Sequence, residues 1–182
     1  IENIKENAPT RGNLIPEFLK SADSAEQYLT QLKKNAAKYN GFNLLLGDDS
    51  GIYHYSNISN IITKIQPGIH GVSNALLNTP WPKLELAKNA LKDKIQENNI
   101  DQATLFSILK NEKKAEPHQL PKTGLKEELE LAISSIFIDI PDYGTRCSTL
   151  LFIEQNGGVK FVERTYDSGN ASKLNDVVFE MK

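Results

Sequence analysis

Cysteine is almost absent from this 182-residue sequence, which contains a single one, Cys147. One thiol excludes an internal disulfide framework and any cysteine-rich zinc module. Methionine and tryptophan also occur once each, and no apolar run approaches the roughly 18 residues that a membrane-spanning helix requires. Residues 1–10 are polar and mixed in charge, so no signal peptide is visible, and this predicts a cytoplasmic location.

An excess of charge of one sign is lacking as well. The 21 lysines and arginines nearly balance the 23 acidic residues, which gives a formal net charge of −2 at pH 7. This balance leaves no electrostatic footprint for nucleic acid. The chain is 39% hydrophobic and 24% charged, and it is long enough to bury a core without disulfides or metals. We therefore expect one soluble globular domain, or two very small ones.

Helical signals are clear in several stretches. Ser24 and Gln27 form a capping-box pattern, and an apolar stripe at helical spacing follows them and ends near Gly41. Pro is favoured in the first turn of a helix and Asp at its cap. Further helices are therefore predicted from Pro82 and from Asp101. Apolar residues at helical spacing predict two more, over 10–20 and over 125–133.

Apolar runs bounded by turn residues predict strands. Residues 42–46 and 52–55 flank the run 47–51, in which Asp48 and Asp49 favour turn closure over metal binding, so we expect a hairpin. Further strands are predicted over 61–65 and 69–76.

The clearest hairpin joins strands over 147–153 and 159–166 through Asn156-Gly157, a pair typical of a type I′ turn. The unbroken apolar stretch 150–153 indicates a strand covered on both faces. Antiparallel sheet with helices grouped between the strands is an α+β pattern.

The reactive side chains give weak signals. Cys147 starts a strongly apolar strand, where a free cysteine usually acts as a small hydrophobe rather than a nucleophile. The three histidines show no short metal-ligand spacing. His118 should be solvated, and His54, between two tyrosines, favours packing or hydrogen bonding. His70 borders a glycine-rich turn and is a candidate ligand contact.

Residues 67–83 (PGIHGVSNALLNTPWPK) differ from their surroundings, with two glycines, three prolines and the only tryptophan. Glycines allow a backbone to approach a ligand, and the Asn74 amide could donate to a developing oxyanion. The alternative is a strand-to-helix connection in which Trp81 fills the core. Composition leaves both interpretations open.

Two arginines need partners. Arg146 enters a strand expected to be buried, and its charge cannot be removed, so it requires an anion or a carbonyl. That partner is either a structural ion pair or a carboxylate or phosphate on a ligand. Arg11, next to Gly12, raises the same question.

Six motifs together resemble the NRDE family, the family of the transport-and-Golgi-organisation protein. The most specific is the 67–83 run, and the resemblance extends in order over nearly the whole chain. The others are TRG at 10–12, GFNLLLGD at 41–48, YSN at 55–57, YGTR at 143–146 and FVER at 161–164.

The resemblance implies an αββα sandwich of the N-terminal-nucleophile hydrolase type, in which a terminal Cys, Ser or Thr attacks with its own amine as base. Family members begin Met-Cys and carry the NRDE signature soon afterwards, whereas this chain begins at Ile1 without either. We therefore expect residues 1–182 to be a single, N-terminally incomplete family domain without its nucleophile. No cofactor or metal is expected.

The resemblance also implies a site. By analogy with choloylglycine-type hydrolases, Asn74 would donate to an oxyanion and Arg146 would orient the nucleophile. The family is associated with haem trafficking, acyl lipid and coenzyme A metabolism and secretory-pathway organisation. The leading expectation is an intracellular protein that handles a small hydrophobic or acyl-bearing metabolite, haem or acyl-coenzyme A. The alternative is a hydrolase of amides or thioesters. The expected ligand-binding residues are Arg11, His70, Ser73, Asn74, Trp81 and Arg146.

Overall fold

A computed structural model of the protein describes residues 4–167 and 170–181. The chain divides into two compact units, Ile1–Thr79 and Pro80–Lys182, which are described separately. The expectation of a single domain over 1–182 stays a prediction. Ile1, on which the expectation of a missing N-terminal part depends, lies outside the described residues.

The first unit is an antiparallel three-stranded sheet with helices against one face. The strands are ordered β1-β2-β3. A 3-10 turn, Arg11–Asn13, precedes the first helix, and another, Ala36–Lys38, precedes the sheet. The helices and strands are α1 (Leu14–Lys20), α2 (Ala25–Lys33), β1 (Asn43–Asp48), β2 (Gly51–Ser56) and β3 (Ile61–Lys64).

The β1–β2 hairpin separates its side chains into two faces, as the two-residue period of a strand requires. Leu44 lies opposite Tyr55 and Leu46 opposite Tyr53, and all four are buried. The helices contribute to the same core cluster with Leu14, Ala25 and Leu29. The other face of the hairpin carries Asn43, His54 and Ser56.

Three side-chain acceptors hold the start of α2. The predicted capping box is present, because Ser24 Oγ accepts from the Gln27 N–H at 3.3 Å and Gln27 Oε1 accepts from the Ser24 N–H at 3.0 Å. Asp48, at the hairpin turn, accepts from the Ala25 N–H at 2.6 Å and from the Ser50 N–H at 2.8 Å. The Ser50 hydroxyl also donates to Asp48 at 2.6 Å, and this bond, followed by the two from backbone N–H groups, lowers the pKa of Asp48. The turn role expected for Asp48 is confirmed, and the same carboxylate also ties the turn to α2.

The second unit contains three helices and two antiparallel sheets in its described part. The larger sheet has the order β6-β7-β8 and the smaller one pairs β4 with β5. The helices are α3 (Pro82–Gln96), α4 (Gln102–Leu109) and α5 (Glu127–Ala132). The strands are β4 (Asp139–Ile140), β5 (Tyr143–Gly144), β6 (Cys147–Ile153), β7 (Val159–Asp167) and β8 (Asn170–Met181).

One face of the larger sheet packs against α4. The Arg164 guanidinium lies 4.0 Å from the centre of the Phe106 ring and donates from both Nε and Nη2 to the Asp176 carboxylate at 2.8 Å. This bidentate pair lowers the pKa of Asp176. Phe106 and Val162 are buried beneath it.

Sequence patterning was misleading on the other face of this sheet. Leu151 is 57% exposed and Ile153 is 66% exposed, so the prediction of a strand covered on both faces is wrong. Both side chains alternate away from the face that packs on α4. Cys147 lies on their face and is exposed, which also overturns its expected role as a buried hydrophobe. Arg146, just before β6, is exposed as well, so the premise that it enters a buried strand is wrong.

The β6–β7 turn also differs from its prediction. The Glu154 N–H donates to the Gly158 carbonyl at 2.8 Å, and the Gly157 N–H donates to the Glu154 carbonyl at 3.0 Å. Gly157 has a φ of 87°, but Asn156 does not have a positive φ. A type I′ turn needs positive φ at both central residues. The hairpin instead closes with a longer loop and one left-handed residue.

The α+β class is confirmed by this mixture of helices and antiparallel sheets. The predicted strand over 69–76 is wrong, because residues 69–72 are irregular and residues 73–76 are bends, without ladder partners. Strand β8 was missed. Within residues 4–167 and 170–181, no helix is both long and apolar enough to cross a membrane.

The capping box gives a stability prediction. Ser24→Ala removes the acceptor of the Gln27 N–H and should lower the free energy of unfolding by about 1 kcal/mol. Urea unfolding followed by circular dichroism measures this. Thr30→Ala, in the exposed middle of α2, is the control and should be neutral or slightly stabilising. Equal unfolding midpoints for Ser24→Ala and the wild type would contradict the role assigned to the cap.

Candidate functional site

A pocket of about 1230 Å³ lies within the first unit, between the sheet and the segment that follows β3. Its polar lining consists of Arg11, Asn40, Asn43, Ser56, Ser73, Asn74 and Thr79. Its apolar lining consists of Ile4, Phe42, Ile58, Val72, Ala75 and Leu76. The pocket lining thus combines polar amide and hydroxyl groups with aliphatic and aromatic groups.

Arg11 is the only charged side chain among the described residues that line this pocket. It begins the 3-10 turn before α1. Its Nη1 donates to the Gly41 carbonyl at 2.7 Å, which anchors the guanidinium beside the start of β1. A guanidinium has five N–H donors. The carbonyl partner that the sequence analysis sought for Arg11 is therefore Gly41, and further donors remain for a ligand.

The segment 71–79 is shaped by Asn78. The Gly71 N–H donates to Asn78 Oδ1 at 3.0 Å, and the Asn78 N–H donates to the Gly71 carbonyl at 2.7 Å. Asn78 has a φ of 59°, a left-handed conformation that Asn tolerates better than most residues. These bonds close the segment into a compact loop, which explains why the apolar residues within it do not form a strand.

Asn43 attaches this loop to the sheet. Its Nδ2 donates to the Ala75 carbonyl at 2.8 Å and to the Ser73 carbonyl at 3.4 Å. Its Oδ1 lies 2.9 Å from His54 Nε2. His54 is 3% exposed, and burial lowers its pKa by disfavouring the charged imidazolium. The hydrogen-bonding role predicted for His54 is confirmed.

Asn74 projects from this loop. It is exposed and lines the pocket. Its side-chain amide forms no hydrogen bond with any other residue in the described part of the chain, in contrast to the amides of Asn43 and Asn78. The Asn74 amide is therefore available to a ligand.

His70 has a supporting position outside the pocket lining. Its Nε2 lies 2.8 Å from the Gln66 carbonyl and its Nδ1 lies 3.0 Å from Asn78 Nδ2. Since the Asn78 amide donates to Nδ1, Nε2 carries the proton and donates to Gln66. Both ring nitrogens are thus occupied in holding the loop. Direct ligand contact by His70 stays a prediction.

Trp81 and Arg146 belong to the second unit. Trp81 is half-buried at the N-terminus of α3, with Lys83 Nζ 6.0 Å from its ring centre. Lys83 donates to the Ile133 carbonyl at 3.0 Å, and burial lowers its pKa. No ion pair of Arg146 occurs in residues 4–167 and 170–181. The ligand-binding roles of Trp81 and Arg146 stay predictions.

The pocket therefore collects three of the six expected residues: Arg11, Ser73 and Asn74. Asn43 and Ser56 were not among the predicted site residues, although they lie in the motifs GFNLLLGD and YSN. Their position could have identified them, because Asn43 is the first residue of β1 and Ser56 is the last residue of β2. No group of three metal-ligating His, Cys, Asp or Glu side chains occurs in the part of the chain that the structure describes.

Comparison with known proteins identifies the family. The family model described as Transport and Golgi organisation 2 matches residues 2–168. The chain belongs to this family. The match includes the pocket residues of the first unit and the YGTR motif of the second, so the family resemblance noted in the sequence is confirmed.

Three mammalian members of the Transport and Golgi organisation 2 family show the extent of the similarity. The chain is 29% identical to the bovine homologue over 193 residues, covering 98% of the chain and 70% of the bovine protein. It is 28% identical to the mouse homologue, covering 96% of the chain and 68% of that protein. It is 30% identical to the human homologue over 85% of the chain, and it spans 61% of the human protein.

Burial of His54 predicts a pH-dependent stability. In the unfolded chain this histidine takes up a proton near its ordinary pKa of 6.5, whereas in the folded protein burial lowers its pKa. The stabilisation from neutral His54 is therefore complete above pH 6.5 and is lost as the pH falls through the window below it. Carboxylates with lowered pKa values, such as Asp48 and Asp176, titrate below 3.8 and do not contribute there.

We expect His54→Gln to reduce the fall in unfolding free energy between pH 7 and pH 5, because glutamine does not titrate. Urea unfolding at a series of pH values measures the slope. Thr63→Val alters the cross-strand neighbour of His54 without removing a titrating group, and it should keep the wild-type slope. An unchanged slope in His54→Gln would contradict the expectation.

Proposed function

We propose that this member of the Transport and Golgi organisation 2 family binds a small anionic metabolite with a hydrophobic or acyl part in the pocket of its first unit. The candidate ligands are haem and acyl-coenzyme A. The observation that carries the proposal is the single cationic side chain, Arg11, in a pocket otherwise lined by amides, hydroxyls and apolar groups. A cytoplasmic location stays a prediction of the sequence.

The polar groups of the pocket lining suit an anion. Arg11 is held by the Gly41 carbonyl through Nη1, so its position is set before any ligand arrives. Carboxylates and phosphates match the planar fork of a guanidinium. The described lining contains no acidic side chain that would repel an anion. The Asn74 amide can add a further donor.

The apolar groups of the pocket lining suit a hydrocarbon. Ile58 is 74% exposed and Leu76 is 42% exposed, and both line the pocket together with Val72. Covering such side chains contributes about 25 cal/mol for each Å² of apolar surface removed from water. Haem joins carboxylates to an apolar ring, and acyl-coenzyme A joins phosphates to an acyl chain. Both combine the two properties that the lining offers.

Replacing Arg11 tests this proposal. Arg11→Ala removes the only charge of the described lining, so the dissociation constants of haemin and octanoyl-coenzyme A should rise about tenfold or more. Calorimetric titration measures both. Lys33→Ala, which removes an exposed charge of α2, should leave them unchanged. The uncharged analogue octanamide should bind the wild type and Arg11→Ala equally. Absence of saturable binding for both anionic probes would refute the proposal.

We also propose the αββα sandwich of the N-terminal-nucleophile type for the complete family domain. What supports it is that each unit contains an antiparallel three-stranded sheet with helices against one face. That arrangement corresponds to one sheet layer and one helix layer. The proposal rests otherwise on the family resemblance.

The second candidate function is hydrolysis of an amide or thioester. The observation that favours it is the unoccupied amide of Asn74 in the pocket, since an asparagine amide can stabilise an oxyanion. In this alternative, the nucleophile is the cysteine of the Met-Cys start that the resemblance gives to family members.

This alternative predicts release of free coenzyme A from octanoyl-coenzyme A by a protein that begins with the family's Met-Cys. A thiol reagent measures the release. Replacing the terminal cysteine with alanine should abolish turnover, and Asn74→Ala should lower kcat by about 10²-fold. Asn40→Ala, another amide of the pocket lining, is the matched control. If the protein with the Met-Cys start releases no thiol, octanoyl-coenzyme A is not a substrate.

A further inference from the structure

Three polar side chains, those of Asn43, His54 and Ser56, lie on the pocket-side face of the β1–β2 hairpin. His54 is 3% exposed and Ser56 beside it is 1% exposed. Asn43 lies opposite Ser56 in the ladder and is half-buried. Burying polar groups is costly unless they are hydrogen-bonded, so the partners of His54 and Asn43 determine what this face can do.

The donors and acceptors of Asn43 can be assigned in only one way. Its Nδ2 faces two carbonyl oxygens, those of Ser73 and Ala75, so this atom must be the amide nitrogen. Its Oδ1 then faces His54 Nε2 at 2.9 Å and accepts from it. Neutral His54 therefore carries its proton on Nε2. A continuous chain of donors runs from the imidazole through the amide to the loop backbone.

The loop at the end of this chain has few other constraints. Residues 73–76 are bends without a strand partner, and the side chain of Asn78 closes the loop at Gly71 and His70, outside this stretch. The carbonyls that Asn43 holds belong to the residues on either side of Asn74. The direction of the Asn74 side chain therefore depends on the contact with Asn43.

We infer that His54 and Asn43 are positioning residues for the pocket. His54 fixes the orientation of the Asn43 amide, and Asn43 holds the backbone on both sides of Asn74, so that the Asn74 amide points into the pocket. In this role, the His54 imidazole and the Asn43 amide nitrogen bond other protein groups and do not contact the ligand. The effect on ligand binding rests on the proposed function, whereas the effect on the loop does not.

The first test uses the wild-type protein and needs no ligand. Nitrogen-15 NMR of the His54 ring distinguishes a protonated Nε2 from a protonated Nδ1. The proposal requires the proton on Nε2 at pH 7.5. A proton on Nδ1 would overturn it, because Nε2 could then not donate to Asn43 Oδ1 and the imidazole would not orient that amide.

The second test compares variants of His54. His54→Leu removes the donor, and we expect the amide signals of Ser73, Asn74 and Ala75 to shift and their hydrogen exchange to accelerate about fivefold. His54→Gln restores an N–H donor and should return both towards the wild type. Thr63→Val, which changes the cross-strand neighbour of His54 but lies outside the chain of donors, should leave the loop signals unchanged.

Ligand binding gives the third readout. With octanoyl-coenzyme A as the probe, His54→Leu should raise the dissociation constant about fivefold and His54→Gln by less than about twofold. Unchanged loop signals and unchanged affinity in His54→Leu would overturn the inference. Equal losses in His54→Leu and His54→Gln would also overturn it, since they would indicate packing rather than hydrogen bonding.

The two proposals fail separately. If the wild type does not bind octanoyl-coenzyme A while the ring tautomer and the loop signals behave as expected, the positioning role stands and this ligand is excluded. If the wild type binds the probe but His54→Leu changes neither the loop nor the affinity, the ligand stands and the positioning role is refuted.

Discussion

The two-residue period of the β1–β2 hairpin is the constraint on which the first unit depends. It sends Leu44 and Tyr55 to the face that packs against α2, and it sends Asn43 and His54 to the opposite face. A shift of register by one residue would exchange the two sets. The core of the unit and the polar floor of its pocket are therefore set by the same pairing, and neither can move without the other.

The amides near the pocket have different tasks, which follow from what each can reach. Asn43 and Asn78 each bond loop backbone with one end of the amide and a histidine ring with the other. Irregular segments need such side-chain partners for backbone groups that a ladder would otherwise satisfy. Asn74 has no such partner in the described chain and remains available. Arg11 and Asn74 are lining residues with donors that can bind an anion.

Local signals in the sequence were reliable where the structure depends on neighbouring residues. The capping box at Ser24, the first turn at Pro82 and the cap at Asp101 were all predicted, because each acts within one helical turn. The strand over 69–76 was wrongly predicted, since Asn43 and Asn78 impose another conformation on its apolar residues.

Errors in burial had a related cause. The apolar run after Cys147 indicated a strand buried on both sides, yet only one of its faces meets α4 in the second unit. Apolar composition shows that a strand can be buried, but packing decides which face is. The expected burial of Cys147 and Arg146 failed for the same reason.

By itself, the sequence determined the α+β class, most helix starts, the two hairpins and membership of the Transport and Golgi organisation 2 family. It also supplied the residue types of the site. Only the tertiary structure decided which of them meet. Arg11 reaches Gly41 across 30 positions of sequence, and Asn43 reaches Ala75 across 32. Capping and periodicity act over a few residues, whereas these contacts form only when the chain has folded back on itself.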